Sequence, residues 1–169
     1  DDEHIEEGWE AINQLVKDGK VRYGGVSNFE LSHFERAQNL HAITSSQPPY
    51  SILRRKGEQD GKFDFCNMHN IGILAYSPMQ AGLLSGTFDI TKISENDWRR
   101  GAKEYQEPNL SINLSFVEKL REIVQKYGKS VAQLAIAWVL QNELITSAIV
   151  GVRSPEQITE TAKGAGWKI

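Results

Sequence analysis

The sequence predicts an α/β protein built from four parallel βα units in a single domain, residues 1–169. Three observations predict it. Four short stretches of strand character occur along the chain, and each is followed by at least one stretch of helical periodicity. The intervals between strands are too long for hairpins, so the strands pair in parallel through helical crossovers. A complete (β/α)₈ barrel typically needs ~250 residues, and a flavodoxin-like open sheet wants about five strands wound on both faces. At 169 residues the chain is too short for that barrel.

Ile5, Trp9, Ile12, Leu15 and Val16 recur at helical spacing and line one apolar stripe over residues 5–18. Gly19 stops this helix, with Lys17 and Lys20 at the negative end of its dipole. Residues 21–27 read as a strand, Leu31, Phe34, Ala37 and Leu40 as a second helix, and residues 43–47 as a second strand. Pro48 and Pro49 then open an irregular basic loop with Arg54, Arg55 and Lys56, followed by a helical signal around Phe63, Cys66 and Met68. Residues 71–77, ended by Pro78, read as a third strand buried on both faces.

Residues 79–112 show no sustained period and form a loop far beyond the median length of roughly 4 to 6 residues, as functional or mobile loops do. Phe116, Val117, Leu120, Ile123, Val124 and Tyr127 restore a helical stripe, closed by Gly128. Ser130 and Gln133 make a capping box for the next helix, whose buried face is Val131, Leu134, Ala135, Trp138 and Val139. Residues 146–150 form the fourth strand. Ser154 as N-cap, Pro155 at the first helical position and Gln157 completing a second capping box start the last helix.

With 40% hydrophobic and 24% charged residues, the composition is that of an ordinary globular protein. The 19 basic and 22 acidic side chains leave a net charge of −3, which argues against a protein that grips nucleic acid and favours a small-molecule partner. The single cysteine, Cys66, forms no internal disulfide, which points to a reducing compartment and a cytoplasmic location. No apolar run approaches the roughly 18 to 20 residues that span a bilayer, so no membrane association is expected. The acidic start, Asp1-Asp2-Glu3, is the opposite of a basic signal peptide. An opening without methionine, close to a helical pattern, is expected of a piece of something longer.

Ligands of parallel α/β folds bind where the strand-to-helix loops gather, at the carboxyl ends of the strands. The first strand ends in Gly24-Gly25-Val26-Ser27-Asn28-Phe29. Ser27 and Asn28 offer groups suited to a ligand amide, although spacing alone favours one of them as a helix cap. Gln47 ends the second strand and suits either a ligand carboxamide or the turn before Pro48. The third strand ends in Tyr76-Ser77-Pro78-Met79, leading to Gly82-Leu83-Leu84-Ser85-Gly86. Tyr76 offers an aromatic face, and the small residues let backbone N–H groups approach phosphate. An interior aromatic before a flexible loop fits equally. At the fourth strand, Gly151, Arg153 and the following helix N-terminus suit an anion, or simply a capped helix with a solvated arginine.

Taken together, these segments resemble the aldo-keto reductase family. Residues 19–29 resemble its fifth-strand segment and Gln47-Pro48-Pro49-Tyr50-Ser51 the end of its sixth strand. Residues 73–86 resemble the seventh and residues 149–157 the eighth, in family order. The resemblance implies a C-terminal half of a (β/α)₈ TIM barrel, strands five to eight, and NADPH-dependent reduction of aldehydes and ketones. It implies that Ser27, Asn28 and Gln47 hold the nicotinamide carboxamide while Tyr76 stacks on its ring. Ser77, Met79, Gly82 and Leu84 would line the pyrophosphate, and Gly151, Arg153 and Gln157 the 2′-phosphate. Glu160 and Thr161 would face the adenine. Thr161 stands where the family usually has Asn, so the adenine contact departs from the pattern.

The family's catalytic Tyr, Lys, Asp and His lie on its first four βα units, so no catalytic residue carries over onto this sequence. His4 falls where the family often has Pro, shortly before the first helix, and is not the family's catalytic His; His33, His41 and His69 fall on helices or turns and read as structural or solvated. A half barrel exposes two strand edges and an interior face, which implies a homodimer or a complementing N-terminal half. A carbonyl substrate is expected only once the barrel is completed. The alternative is a non-catalytic nucleotide-binding or interaction module.

Overall fold

The apolar stripe at the start of the sequence becomes α1 (Ile5–Lys17), but only its first half is covered. In the computed structural model, which describes residues 3–169, Ile5 and Trp9 are buried while Ile12 and Leu15 stay exposed. The first expected strand is shorter than its pattern. Val21 and Tyr23 are exposed, and β1 comprises only Gly25–Ser27. There follow α2 (Leu31–Leu40), β2 (Ser45–Gln47), α3 (Lys56–Gln59), α4 (Lys62–Met68) and β3 (Gly72–Tyr76). Part of the expected basic loop is therefore helical, because Glu58 on the first turn of α3 pairs with Arg55.

The 79–112 segment is neither structureless nor quite so long. It contains 3₁₀ turns at Gln80–Ser85, Ile90–Lys92, Trp98–Gly101 and Lys103–Tyr105. α5 (Asn109–Gln125) begins before the apolar stripe that marks it in sequence, with Leu110 buried in its first turn. α6 (Val131–Gln141) starts at the expected Ser130–Gln133 capping box, and its burial from Val131 to Ala137 is wider than the single face that periodicity marks. β4 (Ile145–Ile149) and α7 (Pro155–Ala162) complete the chain.

The four strands lie in one parallel sheet in the order β1-β2-β3-β4. Between Ile73 and Leu74 the register to β4 shifts by one residue, and the Ile73 N–H donates to Thr146 Oγ1 (3.1 Å). Only one face of the sheet is well buried. Val26, Ile73, Ala75 and Ile145 pack with Trp9, Phe34, Ala37 and Val139 in the main core. Along β3 the intervening Gly72, Leu74 and Tyr76 remain half-buried, so this strand is not buried on both faces as its unbroken apolar run suggests. Among the described residues β1 and β4 each have a strand neighbour on one side only.

The helices are joined to one another by polar clamps. Arg36 pairs with Glu6 across α1 and α2, and His41 Nε2 lies 3.0 Å from Glu10. Gln133 reaches Glu160, and Gly164 sits so close to α6 that a Cβ would lie 2.8 Å from the Gln133 carbonyl oxygen. His33 caps α2 and the His69 ring stacks near Phe65, so both have structural surroundings. No helix among the described residues is long and apolar enough to cross a membrane.

Candidate functional site

Parallel pairing puts the ends of β1 and β2 side by side, with Ser27 in register with Gln47. The Gln47 carbonyl accepts two hydrogen bonds, from Ser27 Oγ (3.0 Å) and from the Asn28 N–H (3.2 Å). Asn28 has φ 58°, a left-handed conformation that Asn tolerates better than most residues. This bend delays the helix, so the N-cap of α2 is Glu30, in a box with His33. The capping role that spacing favours for Ser27 or Asn28 is thereby overturned. Tyr76 reaches across from β3 and its hydroxyl donates to Asn28 Oδ1 (2.8 Å). Ser27, Asn28, Gln47 and Tyr76 thus converge on one surface. The Asn28 Nδ2 and the Gln47 side-chain amide, both on exposed residues, have no protein partner among the described residues.

The turn after β3 is tightly folded. Ser77, Gln80, Ala81 and Gly82 all have positive φ, and the N–H groups of Gly82 and Leu84 both donate to the Met79 carbonyl. Leu84 itself is fully buried in the second core cluster. Two buried bonds hold the turn: Ser51 Oγ donates to Gln80 Oε1 (2.9 Å), and the Tyr105 hydroxyl donates to the Gln80 carbonyl (2.8 Å). Sequence reasoning missed Gln80, Ser51 and Tyr105. A polar residue between Met79 and Ala81 carries no periodic signal, and its partners are remote in sequence.

The 3₁₀ segments bring charge toward the end of β4. Arg99 pairs with Asp97 (2.7 Å), donates to the Ala81 carbonyl and lies over Phe88. The hydrogen bonds from Arg99 hold the Asp97 carboxyl down at about 2, and the positive charge of Arg153 contributes. The exposed Arg153 guanidinium makes no hydrogen bond among the described residues, and nothing lies within 4 Å of where a Gly151 Cβ would stand.

Ser154 Oγ accepts from the Gln157 N–H, as expected of the cap. The Gln157 side chain, however, accepts from the Arg153 N–H (2.8 Å) instead of closing a box on Ser154. Glu160 accepts from Gln133 Nε2 through both its carbonyl and its carboxylate, and Thr161 Oγ1 donates back to the Gln157 carbonyl (2.7 Å). Both are therefore satisfied inside the protein. In a separate depression lined by Tyr50, Glu58, Trp138, Gln141 and Asn142, the Tyr50 hydroxyl donates to Glu58, Asn142 Nδ2 donates to both, and Gln141 Nε2 donates to the Ile169 carbonyl.

Comparison with known proteins agrees with this geometry. Residues 1–165 match the model of the Aldo/keto reductase family. The chain is 30% identical over 167 residues to aldo-keto reductase YhdN of Bacillus subtilis, covering 98% of this chain and 50% of that protein. It is 30% identical to L-glyceraldehyde 3-phosphate reductase of Escherichia coli O157:H7, covering 94% of this chain and 49% of the relative. Among solved structures, the glycerol dehydrogenase AKR11B4 from Gluconobacter oxydans superimposes with a TM-score of 0.90 at 30% identity, over 100% of this chain and 52% of that one. The chain spans about half the length of the relatives it matches, and its four parallel strands correspond to half of a TIM barrel. With a matching family model along nearly its whole length, the chain belongs to the aldo/keto reductase family.

Proposed function

We propose that this chain is the C-terminal, cofactor-binding half of an NADPH-dependent aldo-keto reductase and is catalytically incomplete alone. The observation that carries this reading is the convergence of Ser27, Asn28, Gln47 and Tyr76 at the carboxyl ends of three adjacent strands. The Asn28 Nδ2 and the Gln47 side-chain amide, without protein partners among the described residues, lie beside the Tyr76 ring and suit a nicotinamide carboxamide and ring. At the other end Arg153 and the open Gly151 turn suit the 2′-phosphate, where a guanidinium provides forked, charge-assisted donors.

Between these ends the fit is partial. The Gly82 and Leu84 N–H groups already serve Met79, so Ser77 and Met79 are left to line the pyrophosphate unless the turn opens. Gln157 supports Arg153 through its backbone N–H. Glu160 and Thr161 are engaged within the protein and reach the adenine only by exchanging partners.

Bound NADPH supplies a hydride for carbonyl reduction. This chain's residues bind and orient; the acid that protonates the carbonyl oxygen comes from the half that covers the open face. In this reading that half is a complementing N-terminal half-barrel or a second copy.

Titration of the protein with NADPH and with 2′,5′-ADP, followed by tryptophan fluorescence, tests the assignment. Saturable, salt-sensitive binding of both is expected, because the phosphate grip is contiguous in sequence around Gly151 and Arg153. Binding of neither would overturn the cofactor-binding role.

A further inference from the structure

The left-handed conformation of Asn28 is one that a non-glycine residue keeps only where its surroundings over-determine it. Toward the sheet its N–H is held by the Gln47 carbonyl. Two residues on, Glu30 caps α2 and is tied to a different part of the chain: its carboxylate meets Lys62 Nζ at 3.0 Å and Lys56 Nζ at 3.2 Å. The two lysines are not equivalent. The Lys56 side chain is 67% exposed, and an ion pair in that setting contributes little. The Lys62 side chain is 12% exposed and shares its charge between Glu30 and Asp60 (3.1 Å), the latter through a buried oxygen with no hydrogen bond among the described residues. The linker that carries Lys62 is itself fixed. The Lys62 N–H donates to Asp60 Oδ1 (3.3 Å), and Gly61, at φ 80°, lies against Leu31, the first residue of α2.

We infer that Lys62 is a positioning residue that, through Glu30, holds the Asn28 turn in the shape the nicotinamide end of the site requires. This rests on the proposed cofactor role and adds to it a residue that is not among the strand-end groups of the site. Removing the ammonium leaves Glu30 with only the exposed Lys56, and leaves the buried Asp60 oxygen without a counter-charge. Two carboxylates that shared one cation then have none between them, and the short connection from Asn28 to α2 loses its anchor on the helix side. Arginine in place of Lys62 keeps the charge and can still bridge both carboxylates.

The test measures NADPH and 2′,5′-ADP affinity for the wild type, Lys62→Met, Lys62→Arg, Glu30→Gln and the Lys62→Met/Glu30→Gln double variant. Lys62→Met should weaken NADPH about three- to tenfold while 2′,5′-ADP, which has no nicotinamide, binds as before. Lys62→Arg should bring NADPH back to within about twofold of wild type. Because Lys62 acts through Glu30, the double variant should bind NADPH no more weakly than Glu30→Gln alone. Hydrogen exchange of the Asn28 amide gives a readout that needs no ligand: protection should be lost in Lys62→Met and regained in Lys62→Arg. Unchanged NADPH affinity or unchanged Asn28 exchange in Lys62→Met, equal weakening of both ligands, or additive losses in the double variant overturns the inference and leaves the cofactor role standing. Failure of the wild type to bind either ligand overturns both.

Discussion

Gly25→Ala strikes the point where β1 and the candidate site depend on each other. A Cβ at Gly25 would stand 2.3 Å from Ser45 Oγ and 2.9 Å from the Ser45 carbonyl oxygen, its register partner on β2. The hydroxyl can rotate away, but the carbonyl belongs to the β2 backbone, so β1 must move outward by several tenths of an ångström. Strain of this kind costs about 1–3 kcal/mol. At ~2–4 °C per kcal/mol for a chain of this size, Tm should fall by roughly 2 to 12 °C. The displaced strand carries Ser27 and Asn28, whose bonds to the Gln47 carbonyl are 3.0 and 3.2 Å long. NADPH affinity should therefore fall along with stability. Urea unfolding followed by tryptophan fluorescence reads the first effect, and NADPH titration of the folded variant reads the second. Stability within ~0.5 kcal/mol of wild type, with unchanged affinity, would refute the reasoning.

Tyr105→Phe leaves the buried Gln80 carbonyl without its donor and should cost about 1–3 kcal/mol in chemical denaturation; no loss would show that the turn is held elsewhere. Arg153→Ala should weaken NADPH binding and flatten its salt dependence, and an unchanged affinity would remove Arg153 from the site. The Glu6 carboxyl, lowered from 4.5 to about 2 by its hydrogen bond from Arg36, contributes stability that is complete above the usual carboxylate range and is lost as pH falls through that interval. The stability gap between wild type and Arg36→Met should accordingly close on acidification from neutral pH, and a gap independent of pH would contradict that coupling.

The elements with strong local punctuation were legible in the sequence. Ser130 with Gln133 and Ser154 with Pro155 place the starts of α6 and α7, because a cap is satisfied within one turn. Strand lengths were less legible. Val21 and Tyr23 extend the pattern of β1, but pairing with β2 begins only at Gly25, and periodicity does not reveal where a neighbour starts. The start of α5 was hidden because Leu110, Ile112 and Leu114 alternate with polar residues at a spacing of two, which is not a helical period. At the site, residue types at strand ends pointed to Ser27, Asn28, Gln47 and Tyr76. The Tyr76–Asn28 bond, 48 residues apart, and the Ser51–Gln80–Tyr105 lock exist only once the strands are paired and the loop is folded.

Most direct is a measurement of NADPH consumption in the presence of aldehydes, by the 169-residue chain alone and mixed with the half of the Bacillus subtilis relative that it does not match. The account predicts no turnover by the chain alone and turnover on mixing, when the second half closes the sheet and brings its proton donor. Sustained aldehyde reduction by the unmixed chain would contradict it.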